Sequence, residues 1–362
     1  MADAIKDAFN REYLQKLAAD IQAAYSPFQT DEFVNSTMDE TWDALELKGR
    51  MRQITVNLGK YLPANYAEAI AVIDKVIVNQ GSWMDGFCLF FPDFVEVFGL
   101  DEWDISIAAL ERYTPHASAE FAVRPFIIRD EKRMMAQMFA WAKSDNHHVR
   151  RLASEGCRPA LPWAQALPKF KKDPSPILPI LQELKTDPDI YVRKSVANNL
   201  NDISKTHPDL VAKLAKEWYG KNEHTDWIVK HACRTLLKKG NRDVLAIFGL
   251  HDAESVDVSN FAIDAQEVAI GDTFNFSFAI TTKTATKIRL EYAIDFVKSN
   301  GKRNRKIFQI SEISMKANES KSYTKNHSFA DLSTRKHYPG TQSITLIVNG
   351  TERGTLDFEV TN

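Results

Sequence analysis

The sequence predicts a multidomain α + β protein, with an all-α region over residues 1–250 and an all-β region over residues 251–362. Two observations carry this prediction. Apolar residues recur at three- and four-residue spacing up to about residue 250, which is typical of amphipathic helices. From Val256 onward they alternate with polar residues, which is typical of strands with one buried face. A chain of 362 residues is long enough for two or three domains.

Three segments of the all-α region repeat one pattern. In each, a Val is followed by two residues that are basic or His, and these Val residues are Val149, Val192 and Val229. They lie 43 and 37 residues apart. A period near 40 residues, built from helix pairs, indicates a HEAT-like α-solenoid. Because each repeat aims cations from the same structural position, we expect a basic concave surface.

Helical patterns and breaks rich in Pro, Gly or Asn alternate through the rest of the all-α region. The clearest helical patterns cover residues 67–77, 104–113 and 131–142. The breaks fall at residues 62–65, 79–81, 173–176 and 186–189. We expect the Asp residues at these breaks to cap the helices that follow.

Alternation in the all-β region places large apolar side chains on one face. Phe274, Phe276, Phe278 and Ile280 share a face of one segment, and residues 287–297 follow the same pattern. The turn-bounded segments make about seven strands, which is the number in an immunoglobulin-like sandwich. The Cys pair and core Trp of antibody domains are missing from this region, so the sequence supports the architecture alone.

Charge is distributed unevenly along the chain. Residues 124–250 hold 23 Lys and Arg against 14 Asp and Glu, a net charge of +9, although the whole chain carries −2. Residues 1–123 are strongly acidic. A basic region inside a nearly neutral protein indicates a polyanionic partner, and a solvated cationic face is the alternative.

Cysteine usage and hydropathy indicate a cytoplasmic protein. The three cysteines, Cys88, Cys157 and Cys233, are far apart and odd in number, which argues against a disulfide framework and a cysteine metal site. No stretch approaches the roughly 20 apolar residues of a membrane span. The first residues read as an amphipathic helix that carries acids, so we expect no secretion signal and no membrane partner.

The repeat containing Val149 differs from the other two in charge at the position of Glu155. It carries Glu155 where the aligned repeats carry Asn198 and Thr235, and Trp163 follows shortly after. An acid in a cationic groove would repel a polyanion. Its presence there therefore indicates a residue that takes part in catalysis. The alternative is an ion pair with Arg151 four residues earlier. Trp163 could equally be a core residue.

Other chemistry finds little support in the sequence. A Gly-rich phosphate loop and the HExxH, CxxC and GxSxG motifs are missing from it. His147 and His148 are adjacent and therefore point to different sides of a helix, which makes them a poor metal pair. We expect neither a metal nor a cofactor.

Two long segments carry a family resemblance. Residues 111–130, ERYTPHASAEFAVRPFIIRD, and residues 155–211, which begin EGCRPALPWAQALPKF, resemble the AlkC branch of the bacterial DNA alkylation-repair glycosylases. The helical arrangement extends this resemblance to about residues 1–250. Some members of the branch carry a C-terminal immunoglobulin-like domain, as predicted here.

The resemblance implies a monofunctional glycosylase that excises cationic N-methylated bases from duplex DNA in the bacterial cytoplasm, associated with the nucleoid during repair. The implied lesions are 3-methyladenine, 3-methylcytosine and 1-methyladenine. Carried over by motif, Glu155 and Glu120 are candidates for the acid near the sugar, Trp163 for an aromatic wall and Asp202 for a further polar group in the cleft. Glu120 and Asp202 could instead be helix-end residues that favour the helix dipole or cap a helix.

Basic residues of the repeats and of two loops are candidates for phosphate contacts, which position a duplex without reading its sequence. They are Arg150, Arg151, Arg193, Lys194, Lys230 and Arg234 in the repeats, Lys169, Lys171 and Lys172 in one loop, and Arg303 and Arg305 near a predicted hairpin tip. Some of these will be ordinary solvated side chains.

Two other classes of function stay open at this point. One is a non-enzymatic solenoid that binds nucleic acid or an acidic protein through the same groove. The other is a structural interaction protein that docks through its immunoglobulin-like domain. A pure binder gains nothing from an acid in the groove, which favours the enzyme. Nothing indicates an obligate dimer, so we expect a monomer.

Overall fold

The computed structural model describes residues 5–79, 88–250, 253–332 and 335–362. The described residues form helices up to Ile247 and strands from Val256 onward, which confirms the predicted α + β fold class. None of the described helices combines the length and the apolar character that crossing a membrane requires. The predicted break at residues 79–81 lies largely outside the described residues.

The α-helices match the predicted patterns within a few residues, and the breaks at residues 62–65, 173–176 and 186–189 fall between them. Asp189 accepts a hydrogen bond from the Tyr191 amide at 2.7 Å and so caps its helix as predicted. In chain order the helices are α1 Arg11–Ala24, α2 Thr30–Thr37, α3 Leu47–Tyr61, α4 Tyr66–Asn79, α5 Phe90–Phe98, α6 Trp103–Tyr113, α7 Val123–Arg129, α8 Glu131–Trp141, α9 His147–Gly156, α10 Pro168–Lys172, α11 Leu178–Leu184, α12 Ile190–Ile203, α13 Pro208–Trp218, α14 Glu223–Ala232, α15 Arg234–Lys238 and α16 Arg242–Ile247, with 3-10 turns at Ile5–Ala8 and Trp42–Ala44.

The repeated segments form helices that pack side by side. Val149 and Val192 are buried in the first turns of α9 and α12, and Val229 is buried in the second half of α14. Helix α12 packs between α9 and α14. The equivalent Val residues therefore contribute to a shared core, as stacked helical repeats require.

The strands form two sheets with a common apolar core. The strands are β1 Val256–Ile263, β2 Glu267–Ala269, β3 Thr273–Thr282, β4 Thr286–Val297, β5 Arg303–Met315, β6 Ser320–Ser328, β7 Gly340–Val348 and β8 Thr351–Thr361. One sheet has the order β1-β3-β6 and the other β2-β8-β7-β4-β5. The core between them includes the predicted row from Phe274 to Ile280.

Two features of the sandwich differ from the prediction. Strand β2 was missed because its three residues are too short to show a period. On β4 both faces are buried, since Arg289 and Glu291 on the second face are covered and form an ion pair of 2.7 Å. An alternating pattern predicts one buried apolar face. It does not predict burial of the opposite face when that face carries paired charges.

The described residues divide into two compact units. One comprises the residues up to Thr206 together with Asn222–Ala232, and the other comprises His207–Lys221 and the residues from Cys233 onward. Helices α13, α15 and α16 thus belong to the same unit as the strands. The predicted domain boundary between residues 250 and 251 stays a prediction, and residues 251 and 252 lie outside the described residues.

Burial of His327 in the sandwich core predicts acid sensitivity. The ring packs among Phe274, Phe296, Phe308 and Phe329, and burial lowers the pKa of His327 from 6.5 to about 4. Between these values the unfolded state binds more protons than the folded state. Neutral His327 therefore contributes stability that is present above pH 6.5 and is lost as the pH falls toward 4.

We expect this contribution to reach about 3 kcal/mol. Denaturant unfolding of the full chain at pH 7 and pH 4.5, with His327→Phe beside the unsubstituted protein, measures it. The variant should lose less stability at the lower pH. Parallel losses in the two proteins would show that His327 does not set the acid sensitivity.

Candidate active site

Helix α9 carries Glu155 to its C-terminal end, where two other elements hold the backbone. The last carbonyls of a helix lack intrahelical partners. Asn199 of α12 donates to Ser154 O at 2.8 Å, and Arg124 of α7 donates to Gly156 O at 2.8 Å. The end of α9 is therefore fixed by side chains on both sides of Glu155.

Glu120 and Glu155 lie on either side of Arg151. The Nη1 atom of Arg151 binds Glu120 Oε2, and its Nη2 atom lies 3.4 Å from Glu155 Oε1. Ser118 donates to the same Glu120 oxygen at 2.7 Å and accepts from Arg151 at 2.6 Å. Arg151 also lies 4.8 Å from the centre of the Tyr191 ring. The ion pair considered as the alternative reading of Glu155 is thus present, and Glu120 shares it.

Arg158 joins Glu155 to Asp202. Its Nη1 donates to Glu155 Oε1 at 2.7 Å, and its Nε donates to Asp202 Oδ2 at 2.9 Å. Lys205 Nζ binds the other Asp202 oxygen at 2.9 Å. Burial lowers the pKa of the Arg158 guanidinium, but attraction to Glu155 and Asp202 outweighs it, so the pKa lies above its ordinary value. Arg158 is therefore a permanent cation between two carboxylates.

The resulting network alternates in charge. In order it contains Glu120, Arg151, Glu155, Arg158, Asp202 and Lys205, so three acids face three bases. All except Lys205 are largely buried. Buried charges persist only when they are paired and hydrogen-bonded. The network is therefore close to neutral in charge, and the basic concave surface expected from the repeats stays a prediction.

A cavity of about 350 Å³ opens onto this network. Glu120, Glu155 and Arg158 line it together with Lys48 and Trp163. Among the described residues, the contacts of Glu155 all use Oε1. Its second oxygen is left for a bound molecule, which suits a carboxylate that stabilises positive charge or accepts a proton from water.

Trp163 is a surface residue of this cavity and not a core residue. Its side chain is 73% exposed. Its backbone has a φ of 64°, a left-handed conformation that is unfavourable for a residue with a β-carbon. An exposed indole beside two carboxylates fits the predicted aromatic wall, whose role stays a prediction.

Asp202 lies at the end of α12 and is not among the described residues that line the cavity. Both of its oxygens are taken, by Arg158 and by Lys205, and it contacts the network from behind Arg158. It does not cap α12 at the beginning, because it lies in the last turn of that helix. We therefore assign it to the support of the cavity, and its direct catalytic role stays a prediction.

Arg150 and Arg193 each follow the Val of their repeat, and each binds carbonyl oxygens of the turn before its helix. Arg150 donates to Ser144 O and Asp145 O, and Arg193 donates to Asp187 O and Pro188 O. Arg150 also binds the Asp187 carboxylate with two nitrogens, at 2.6 and 3.2 Å. Both guanidinium groups tie the turn before a helix to that helix, and contacts of theirs with phosphates stay a prediction.

The other predicted phosphate contacts differ in their surroundings. Lys169, Lys171, Lys172, Lys194 and Lys230 are exposed, whereas Arg234 is partly buried at the start of α15. In the sandwich, Arg303 donates to Ser343 Oγ at 2.8 Å, and Arg305 binds Asp295 and Glu352. Exposure suits the lysines to a phosphate role best. The phosphate contacts of all these residues stay predictions.

Sequence reasoning missed three participants in the site. Arg158 lies three residues after Glu155 and could have been found from helical spacing. Ser118 lies two residues before Glu120, and its contacts with Glu120 and Arg151 have no signal in the sequence. Lys48 lies 115 residues from Trp163 and donates to its carbonyl oxygen at 2.8 Å, a contact that no local pattern signals. Within the described residues, no group of three or more His, Cys, Asp and Glu side chains could hold a metal ion.

Comparison with known proteins covers nearly the whole chain. Residues 115–236 match the family model described as "DNA alkylation repair enzyme", and residues 257–362 match that of the C-terminal Ig-like domain of uncharacterised protein YhaZ. The chain is 48% identical to YhaZ of Bacillus subtilis over 99% of its length and 100% of the relative. It is also similar to Pseudomonas fluorescens alkylpurine DNA glycosylase AlkC, solved bound to DNA containing an abasic site analog. That match has a TM-score of 0.94 and 36% identity, and covers 99% of this chain and 100% of the other.

Proposed function

Because the chain belongs to the AlkC-type family of bacterial DNA alkylation-repair enzymes with a C-terminal immunoglobulin-like domain, we propose that it is a DNA glycosylase. Its substrates are cationic N-alkylated bases in duplex DNA, namely 3-methyladenine, 3-methylcytosine and 1-methyladenine. The observation that carries the proposal is the pair of carboxylates, Glu120 and Glu155, beside the exposed Trp163 in one cavity. The similar glycosylase was solved with DNA, which supports duplex DNA as the partner.

The chemistry of these lesions suits the residues present. A cationic base leaves as a neutral molecule, so the electron pair of the broken glycosidic bond neutralises it and no acid has to protonate it. Positive charge develops on the sugar, and water then forms the new bond to the anomeric carbon. A nearby carboxylate stabilises that charge and accepts the proton of the water. The protein needs no cofactor for these steps.

The geometry divides these tasks among the residues. Among the described residues, the contacts of Glu155 use Oε1 and those of Glu120 use Oε2, so each glutamate keeps one oxygen for a bound molecule. We place Glu155 at the sugar, because the aligned repeats carry the neutral Asn198 and Thr235 at its position. Trp163 supplies an electron-rich face to the developing cation, an interaction of about 0.5–2 kcal/mol. Arg151 and Arg158 hold the two glutamates in place. Exposed lysines such as Lys169 and Lys194 contact phosphates and position the duplex.

The alternative, a solenoid that only binds nucleic acid, is less well supported. A binder would present the free cations of Arg151 and Arg158 to phosphates. Both are instead paired with carboxylates. Burying those acids costs free energy, and it would not improve the affinity of a binding protein for phosphates. We further propose that the protein acts as a monomer in the bacterial cytoplasm, at the nucleoid during repair.

Purified protein incubated with duplexes that each contain one lesion tests the proposal. Free base is measured by chromatography. We expect release of 3-methyladenine, 3-methylcytosine and 1-methyladenine, with little release of a neutral unmodified base. Equal release of unmodified adenine would contradict the selection for cationic bases.

The cavity also predicts that strand cleavage does not follow base release. A glycosylase that cleaves the strand forms a Schiff base through an amine, and Lys48 is the lysine among the described lining residues of this cavity. Its Nζ is held on the Trp163 carbonyl. We expect borohydride to trap no covalent complex with the product, and the strand to stay intact until alkali is added. A trapped complex lost in Lys48→Met would overturn this prediction.

A further inference from the structure

The segment that carries Trp163 has little hydrogen bonding of its own. Residues 157–167 connect α9 to α10 through turns. Within them, the Leu167 amide donates to Pro159 O and the Ala164 amide to Leu161 O, each at 3.3 Å. Such long bonds are weak. The position of Trp163 must therefore depend on groups outside the segment.

Arg124 holds both ends of this segment. It is 1% exposed and donates to Gly156 O at 2.8 Å, to Arg158 O at 3.0 Å and to Gln165 O at 2.6 Å. The close approach of its helix depends on Gly156, where an added β-carbon would lie 2.5 Å from Val123 Cγ2. One buried guanidinium thus fixes the spacing between the beginning and the end of the segment.

Lys48 holds the apex. It lies on α3, and its ammonium group donates to Trp163 O at 2.8 Å while lying 4.8 Å from the centre of the Phe121 ring. The residue that it binds has a φ of 64°. An unfavourable backbone conformation persists only where its surroundings impose it. Among the described residues outside the segment, Lys48 is the one that donates a hydrogen bond to the Trp163 carbonyl.

We propose that Lys48 is a positioning residue which, together with Arg124, holds the main chain of Trp163 in its left-handed conformation and so presents the indole over the cavity before DNA binds. The expected effect of Lys48 on base release rests on the proposed function. The expected effect of Lys48 on the main chain of Trp163 concerns the protein without DNA and does not depend on that function. The competing role for an exposed lysine beside a DNA-binding cavity is a phosphate contact.

Hydrogen exchange in the free protein tests the structural part without any activity. In Lys48→Met we expect the amides of residues 160–165 to exchange at least about threefold faster, because the apex loses its external bond. Lys60→Met is the matched control, since Lys60 is exposed on the same helix and donates to Asn57. Unchanged exchange in Lys48→Met would overturn the proposal, even if the protein proves to be a glycosylase.

A double-mutant cycle tests the catalytic part. Lys48→Met should slow single-turnover base release about fivefold, as expected for the loss of one hydrogen bond. In a Trp163→Ala background the same substitution should have no further effect. The salt dependence of duplex binding should stay unchanged. Additive effects, or a salt slope reduced by about one unit, would identify Lys48 as a phosphate contact and overturn the proposal. If the unsubstituted protein releases no base, the proposed function fails and the exchange experiment still decides on Lys48.

Discussion

Replacing Glu155 with Gln lowers the single-turnover rate of base release by about 10²–10³-fold, with a smaller change in duplex affinity. The substitution keeps the size of the side chain and an oxygen for Arg158, but it removes the negative charge beside the sugar. Removal of one group that stabilises developing charge typically costs this much in rate. Single-turnover base release from a methylated duplex measures the effect.

Two controls accompany this prediction. Glu183→Gln removes an exposed acid of α11 outside the network and should leave the rate unchanged. Glu120→Gln should lower the rate less than Glu155→Gln, because the proposed function places Glu155, and not Glu120, at the sugar. A larger loss in Glu120→Gln would transfer the role of the acid near the sugar to Glu120.

Replacing Arg158 with Met lowers both stability and activity. The variant leaves Glu155 and Asp202 without the cation between them, and removal of one partner from a buried ion pair costs about 3–5 kcal/mol. We expect the free energy of unfolding in denaturant at pH 7 to fall by about 3 kcal/mol. Base release should slow as well, since Glu155 loses the contact that fixes its Oε1.

Lys205→Met is the matched control for Arg158→Met. It removes a cation from the same Asp202 at the same distance of 2.9 Å, but the Lys205 side chain is half exposed. Exposed ion pairs contribute about 0–1 kcal/mol, so its stability should change little. Equal losses in the two variants would show that burial does not set the value of the Arg158 contacts.

The fold followed from the sequence wherever one period runs through a long segment. Phe274, Phe276 and Phe278 alternate over a full strand, and their buried face was predicted and confirmed. Strand β2 was invisible because three residues carry no period. The buried pair of Arg289 and Glu291 could not be predicted either, because a charged residue in a strand ordinarily indicates solvent.

The candidate site was predictable to the extent that it depends on local spacing and on resemblance. Glu155 and Glu120 meet in one cavity with Trp163, as the resemblance implied. The partners that balance their charge come from several elements that meet only in the folded chain. Arg124 and Lys48 have no sequence signature, and the carbonyl partners of Arg150 could not be predicted from its repeat position.

The most direct test is whether the purified protein releases free 3-methyladenine from duplex DNA treated with a methylating agent. Chromatography of the released bases measures it, with heat-treated DNA as the reference for total lesions. We predict enzyme-dependent release of 3-methyladenine, strongly reduced in Glu155→Gln, with the strand left intact. Tight binding to the same duplex without any released base would contradict the account and favour a solenoid that only binds nucleic acid.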